Sequence, residues 1–327
     1  MHILIVGAGA VGLTYGLAFH KAGARVSYLV KPAHVAGLKD GVTMLRHNLL
    51  LPGLTEERFV DFNLFDDVTS TPVEEFDQIW LTVPSDALSD DWLGVLRDGL
   101  ADDAAVIGLQ PGPKDDARLR RFFGDQLVKG VIGFLAYQYP LPGQANPKGR
   151  SGIAYLLPPQ AGGLGPTDHS AAYAAKDMLA KGGLDISLSD NLAEQYGRVS
   201  ALSLTNMAGL ELAGWSFRGF RTNKNKGRAL AKAAAVEALA LVDHQFDLPH
   251  NEKRDSRLAS LGPLVSLVAP LVPSIRLEPY LAFHFGKVSA QTRSVLRDYV
   301  ALAREANMPS SAIQELLSAL EALDETA

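Results

Sequence analysis

The amino-acid sequence predicts an α/β fold in which an N-terminal, doubly wound parallel sheet is followed by an all-helical C-terminal domain. Three observations carry that expectation. The chain opens on a short apolar, β-branched run, Ile3-Leu4-Ile5-Val6, which passes through a glycine turn into a helical pattern. Strand-like runs then alternate with turns and helical spacing as far as Leu188, the alternation that places helices on both faces of a parallel sheet. From Asn191 onward strand signals nearly vanish, and helical patterns run through 191–213, 228–245, 255–269 and 287–322. The two domains are accordingly expected at 1–189 and 190–327.

The first element is the most informative. Gly7-Ala8-Gly9-Ala10-Val11-Gly12 is a G-x-G-x-x-G turn between a strand and a helix with apolar or small residues at Val11, Tyr15, Ala18 and Phe19. The first glycine permits a tight turn, Gly9 lets backbone approach a pyrophosphate, and Gly12 lets the helix pack closely on the strand. The N–H groups at the helix start then face the phosphates. Lys21-Ala22-Gly23-Ala24 is a suitable helix stop, and Arg25 to Val30 is a second strand, so the motif has its βαβ context. It reads as a Rossmann-type dinucleotide site with Gly7, Ala8, Gly9, Ala10, Val11 and Gly12 as its phosphate loop. An NAD site usually carries Asp or Glu about 20 residues after the glycines, to accept from the ribose 2′-OH. This chain has Lys31-Pro32 there and no carboxylate until Asp40. A lysine suits the 2′-phosphate of NADP(H), the alternative being a solvated residue at a strand end.

The remaining elements follow in order. Ala33 to Leu38 reads as a short helix, and Val42–Leu51 with Arg58–Phe62 as a small hairpin or excursion. Asp77 to Val83 is a buried strand stopped by Pro84, after which Ser85-Asp86-Ala87 begins a helix. Ala104 to Leu109 is a strand running into Gln110-Pro111-Gly112-Pro113, and Asp115 to Phe123 is helical. Gly130–Tyr137 and Ile153–Leu157 read as late strands, with antiparallel pairing open to them. Pro158–Pro166 is a glycine- and proline-rich break, His169–Lys181 a helix, and Asp185 to Leu188 the last strand.

Composition narrows the classes. At 327 residues, 47% hydrophobic and 20% charged, the chain has the make-up of an ordinary globular protein of two domains. A net charge of −5 disfavours nucleic acid as a partner. There is no cysteine, which removes disulfides and thiolate chemistry. The N-terminus has no basic stretch or cleavage site of a leader, and the most apolar later run, Leu261–Val272, is broken by Pro263 and Pro270; no membrane segment and a cytoplasmic location are expected. The eight histidines show no close ligand pair such as H-x-x-x-H, so no metal site is expected.

The order of segments resembles the ketopantoate reductase (2-dehydropantoate 2-reductase) family over nearly the whole chain. Ile3–Gly12 resembles its opening strand and loop, and Lys31 the basic residue often found for the NADP phosphate. Asp77–Val83 resembles its fourth strand, and Leu109-Gln110-Pro111-Gly112 its Gln-Asn-Gly segment. Glu194–Asn206 resembles its first interdomain helix, and Leu277-Glu278 with Ala306-Asn307-Met308-Pro309 its C-terminal signature. The resemblance implies NADPH-dependent reduction of a small, anionic keto acid bound between the domains. It also implies cofactor contact at Pro111 and a site set of Arg198, Asn206 and Glu278. In that set Arg198 orients carboxylate or carbonyl, Asn206 donates a hydrogen bond, Glu278 accepts from a hydroxyl, and water or Tyr196 supplies the proton.

Three departures bear on the chemistry. Arg198 stands where the family has its catalytic lysine, and a guanidinium is too weak an acid to protonate an alkoxide at neutral pH. Pro111 replaces the asparagine of Gln-Asn-Gly, and Pro84 a lysine common after the fourth strand; Leu202 replaces one asparagine of the interdomain helix. The alternative is therefore a non-catalytic NADP(H)-binding sensor or partner protein of the same fold.

Each residue also has a structural reading. Arg198 is spaced to pair with Glu194, Asn206 lies among apolar neighbours, Glu278 precedes Pro279 at a helix start, and Ser266 is spaced plausibly before Glu278 for a site role or for a helix. The basic run Arg218, Arg221, Lys224, Lys226, Arg228 and Lys232 is either a solvated face or an attractor of anions. Leu261–Val272 and Tyr280–Phe283 carry more apolar length than one helical layer readily buries, so a homodimer is expected, the alternative being that they only fill the helical core.

Overall fold

The computed structural model describes residues 1–48, 53–146, 148–262 and 275–326. The chain divides into two compact units, Met1–Gln110 with Asp115–Ala193, and Pro111–Lys114 with Glu194–Ala327.

The first unit holds twelve strands among the described residues. In chain order these are β1 (His2–Val6), β2 (Arg25–Leu29), β3 (Val42–His47), β4 (Leu54–Phe59), β5 (Asn63–Phe65) and β6 (Gln78–Leu81). There follow β7 (Ala105–Gly108), β8 (Leu127–Ile132), β9 (Leu135–Tyr139), β10 (Gly152–Leu156), β11 (Gly162–Gly165) and β12 (Ser187–Leu188). Eight form one sheet in the order β12-β11-β8-β7-β6-β1-β2-β5. It is parallel from β5 to β8, and β11 enters antiparallel to β8.

Helices α1 (Ala10–Lys21), α2 (Pro32–Val35), α3 (Asp90–Gly99), α4 (Asp115–Phe123) and α5 (Ser170–Lys181) complete the unit. The alternation of side chains along each strand decides which helices cover which face. Ile3, Ile5, Trp80 and Ile107 pack with Tyr15 and Phe19 of α1 and Leu179 of α5. Leu4, Ile79 and Val106 point the other way and pack with Leu93 and Leu96 of α3 and Leu119 and Phe123 of α4. A strand covered on both faces must be apolar throughout, which is why β1 is buried over its whole length.

Three expectations change. The run Gly130–Tyr137 is not one strand: it divides between β8 of the large sheet and β9 of a second sheet of order β4-β3-β10-β9. The break falls at Gly133, where a Cβ would lie 2.8 Å from Gly162 N, and whose N–H donates to Ala161 O at 2.9 Å. The glycine-rich break at Pro158–Pro166 contains β11, seated between β8 and β12. Its glycines are what let it fit, since a Cβ on Gly162 would meet Val131 O at 2.3 Å and one on Gly165 would meet Ser189 O at 2.2 Å. The hairpin pairs β3 with β4, in register from Val42↔Phe59 to His47↔Leu54, so its second strand lies at Leu54–Phe59 rather than at the expected Arg58–Phe62.

The second unit is helical over its described residues. Its helices are α6 (Leu192–Leu212), α7 (Phe217–Arg221), α8 (Gly227–Gln245), α9 (Glu252–Ala259), α10 (Leu277–Lys287), α11 (Ser289–Ala306) and α12 (Ser311–Thr326). Gly209 lets α6 approach α8 closely, since a Cβ there would lie 2.4 Å from Gly227 O, and Ala201, Ala208, Ala234, Ala238, Leu239, Leu296, Tyr299, Ile313, Leu316 and Leu320 share one core. The pattern at 287–322 is two helices, parted where Asn307 takes φ 54° and Pro309 follows. Ser266 and the segment from Pro263 to Val272 lie outside the described residues. Among the described residues no helix is long and apolar enough to cross a membrane.

Candidate dinucleotide site and expected catalytic residues

β1 delivers the chain to Gly7, which sits at φ 102°, a left-handed conformation costly for any other residue. Gly9 is the N-cap of α1 with φ −72° and ψ −178°; it offers no side-chain cap, and the first turn of the helix carries no acidic residue. The opening N–H groups of α1 are thus left for a ligand, and the helix dipole favours an anion there. A Cβ placed on Gly9 would meet nothing within 4 Å, so the backbone is open on that side. Gly12 is the opposite case, because a Cβ there would lie 2.2 Å from Gly7 O and 2.7 Å from Thr82 Oγ1. Thr82, just past β6, donates to Val6 O at 3.0 Å and to Gly7 O at 2.8 Å, which fixes the turn against the end of β6. The side-chain amide of Gln110 donates to Leu81 O at 3.0 Å and Val83 O at 2.8 Å, tying the ends of β6 and β7 together.

Lys31 follows β2 at the N-cap position of α2, in an extended conformation and exposed. Among the described residues no ion pair occupies its ammonium. Pro84 precedes a single 3-10 turn (Ser85–Ala87). Pro111 belongs to the helical unit, where its carbonyl accepts from Ser200 Oγ at 3.1 Å.

The three expected catalytic residues lie in the second unit and have partners that share no residue. Arg198 does not pair with Glu194; its guanidinium bonds Asp243, and Asp255 at 2.7 Å. Both carboxylates are fully buried, and Arg254 also bonds them, at 2.9 Å to Asp243 and 3.0 Å to Asp255. Burial alone would raise the Asp255 pKa, but the hydrogen bonds from Arg198 and Arg254 outweigh it and hold the carboxyl below its ordinary range. These Arg198 donors are committed to neutralising buried charge. Asn206 Nδ2 donates to Leu202 O one turn back at 2.7 Å, and its Oδ1 lies against Gly262, where a Cβ would approach to 2.1 Å. Glu278, exposed in the first turn of α10, accepts from Phe217 N at 2.6 Å. It stands on a different helix from the one that ends at Ala306.

Spacing in the sequence did not reveal the cluster of Asp243, His250 and Asp255, whose ligand-type atoms all lie within 4.8 Å of one another. Arg198 and Arg254 already neutralise its two carboxylates, so a divalent cation would have to displace two guanidinium groups. One sign was available: Asp243 continues the apolar face of an alanine-rich helix after Leu239 and Val242. Lys129, buried in the middle of β8, is a second polar residue that its apolar context hid.

Residues 3–156 match the family model described as Ketopantoate reductase PanE/ApbA. No curated protein matches the chain in sequence. Among solved structures, a ternary D-mandelate dehydrogenase complex with NADH and anilino(oxo)acetate is similar at 17% identity and a TM-score of 0.73, over 100% of this chain and 99% of that one. A PanE/ApbA family ketopantoate reductase from Ralstonia eutropha JMP134 is similar at 18% identity and a TM-score of 0.71, over 100% and 99% of the two chains. A dimeric ketopantoate reductase from Staphylococcus aureus is similar at 15% identity and a TM-score of 0.63, over 98% and 99%. At these identities the likeness is one of fold: an N-terminal parallel-sheet domain followed by a helical region.

Proposed function

We propose, from the match of residues 3–156 to the ketopantoate reductase family model, that this chain belongs to that family and is an NADP(H)-dependent oxidoreductase that reduces the carbonyl of a small, anionic keto acid. The observation that carries the reading is the pairing of an uncapped glycine turn, open at Gly9, with an exposed Lys31 where β2 ends. The first holds a pyrophosphate by backbone alone, and the second gives a ribose 2′-phosphate a charge-assisted hydrogen bond. The bound nicotinamide supplies the hydride. The alkoxide then takes a proton from water or Tyr196, since Arg198 is both too weak an acid and tied to Asp243 and Asp255. The similar D-mandelate dehydrogenase structure, with NADH and anilino(oxo)acetate, supports a carboxylate-bearing carbonyl substrate. A homodimer, as in the similar Staphylococcus aureus reductase, is proposed with it, and sedimentation velocity showing only a 35.0 kDa species would remove that part.

A second reading is favoured by one observation: Arg198, Asn206 and Glu278 each spend a polar atom on a partner within their own unit. On that reading the protein binds NADP(H) without turning it over. Titration calorimetry with NADPH and NADH, followed by a panel of α- and β-keto acids read by loss of nicotinamide absorbance, separates the two. Turnover supports the reductase. Tight NADPH binding with no turnover on any acid supports the sensor, and no binding of either dinucleotide sinks both.

A further inference from the structure

The amine of Lys129 lies almost wholly inside the first unit and donates to Gln110 O at 2.7 Å. Its Cα stands opposite Gly108 in the β7–β8 register, so its side chain reaches along the sheet toward the carboxyl ends of the parallel strands. Burial of an ammonium is costly and lowers its pKa, and the carboxylates of Asp116 and Asp115 oppose that shift. Asp115 is itself buried and accepts from Ser85 Oγ at 2.7 Å.

The lysine stands at the end of a mechanical chain. It holds the Gln110 carbonyl, the Gln110 amide holds Leu81 and Val83, and Thr82 between them holds the carbonyl of Gly7. In a doubly wound sheet a dinucleotide lies across the point where strand order reverses, here between β1 and β6. Its pyrophosphate rests on the glycine turn and its adenosine ribose at the end of β2. The other nucleoside is thereby assigned to the ends of β6 and β7, the ends that Gln110 and Lys129 fasten.

We propose that Lys129 is a positioning residue for the nicotinamide-bearing half of the dinucleotide, acting through Gln110 to set the shape of the β6 and β7 ends. The inference rests on the dinucleotide reading above and extends it to a residue outside the glycine turn.

The test compares two ligands, NADPH and 2′-phospho-ADP-ribose, which lacks the nicotinamide, on wild-type protein, Lys129→Met and Lys129→Gln. Lys129→Met is expected to weaken NADPH by about tenfold or more, the scale of a lost hydrogen bond from a charged donor, while the truncated ligand binds within about twofold of wild type. Lys129→Gln, which keeps an N–H donor, is expected to recover part of the NADPH affinity. Equal losses for both ligands, unchanged NADPH binding, or failure of both variants to fold would overturn the proposal. If wild-type protein binds 2′-phospho-ADP-ribose and NADPH not at all, the dinucleotide reading itself fails, a result distinct from any of these.

Discussion

Replacing Gly12 and Gly9 by alanine separates what the turn does for the fold from what it does for a ligand. At Gly12 the added Cβ would sit 2.2 Å from Gly7 O and 2.7 Å from Thr82 Oγ1. A carbon–oxygen contact ordinarily settles at about 3.3 Å, so the start of α1 must retreat from the turn by roughly 1 Å. Overpacking of that size costs about 1–3 kcal/mol, and for a unit of this length each kcal/mol lowers Tm by roughly 2–4 °C. Gly12→Ala should therefore lose both stability and NADPH affinity. Gly9 has φ −72° and ψ −178°, which alanine adopts freely, and open space within 4 Å. The weaker N-cap and the reduced freedom of the unfolded chain offset each other, leaving a change in stability below about 1 kcal/mol. The same methyl would stand where backbone approaches the pyrophosphate, and NADPH should bind about tenfold more weakly or worse. Thermal melts of the free proteins and titration calorimetry with NADPH check both halves. Wild-type affinity in Gly9→Ala, or an unshifted melt in Gly12→Ala, would refute the reasoning.

Three further outcomes are expected. Lys31→Ala should cost NADPH about 1.5–3 kcal/mol and leave NADH unchanged, which competition titrations of the two would read; equal losses would detach Lys31 from the 2′-phosphate. Arg198→Met leaves the buried Asp243 and Asp255 with one guanidinium, that of Arg254, and should destabilise the helical unit by about 3 kcal/mol at neutral pH. Because the folded pKa of Asp255 lies below its ordinary 3.8, its ion pair with Arg198 stabilises fully above pH about 4 and loses that contribution as pH falls through the folded value. The gap between wild type and variant should therefore narrow as the solution is acidified below about pH 4, and a gap that widens on acidification argues against it. Glu278→Gln removes the charge from the bond to Phe217 N and should cost about 1 kcal/mol in a melt; loss of turnover with an unchanged melt would instead return Glu278 to the substrate.

What could be read from the sequence was local. The Ile3–Val6 run, the three glycines and the mostly apolar strand of Gln78–Leu81 carry their conformational reasons within a few residues, and α1, β6 and the doubly wound order follow from them. β11 was illegible because glycines that let a strand fit between neighbours look, in sequence, like glycines that make a turn. The partners of Arg198 were illegible for a different reason. Helical spacing offered Glu194 four residues away, whereas the carboxylates that hold the guanidinium come from 45 and 57 residues further along. Buried charge is compensated by whatever the tertiary fold brings near: neither Asp243 nor Lys129 announces its partner in its own segment, and Asp255 shows there only Arg254, not Arg198. Ser266 falls outside the described residues, so its expected part in the site has no counterpart in the geometry.

The eight-stranded sheet finishes on β5 at one margin and β12 at the other, three and two residues long. A strand added by another chain would find there fewer main-chain hydrogen-bonding groups than the five or so residues of an ordinary strand would use. Growth of the sheet from molecule to molecule, the first step toward fibrous aggregation, is therefore poorly supported at both margins. Self-association through this sheet is therefore expected to use side-chain packing rather than strand addition, with a stoichiometry that stops.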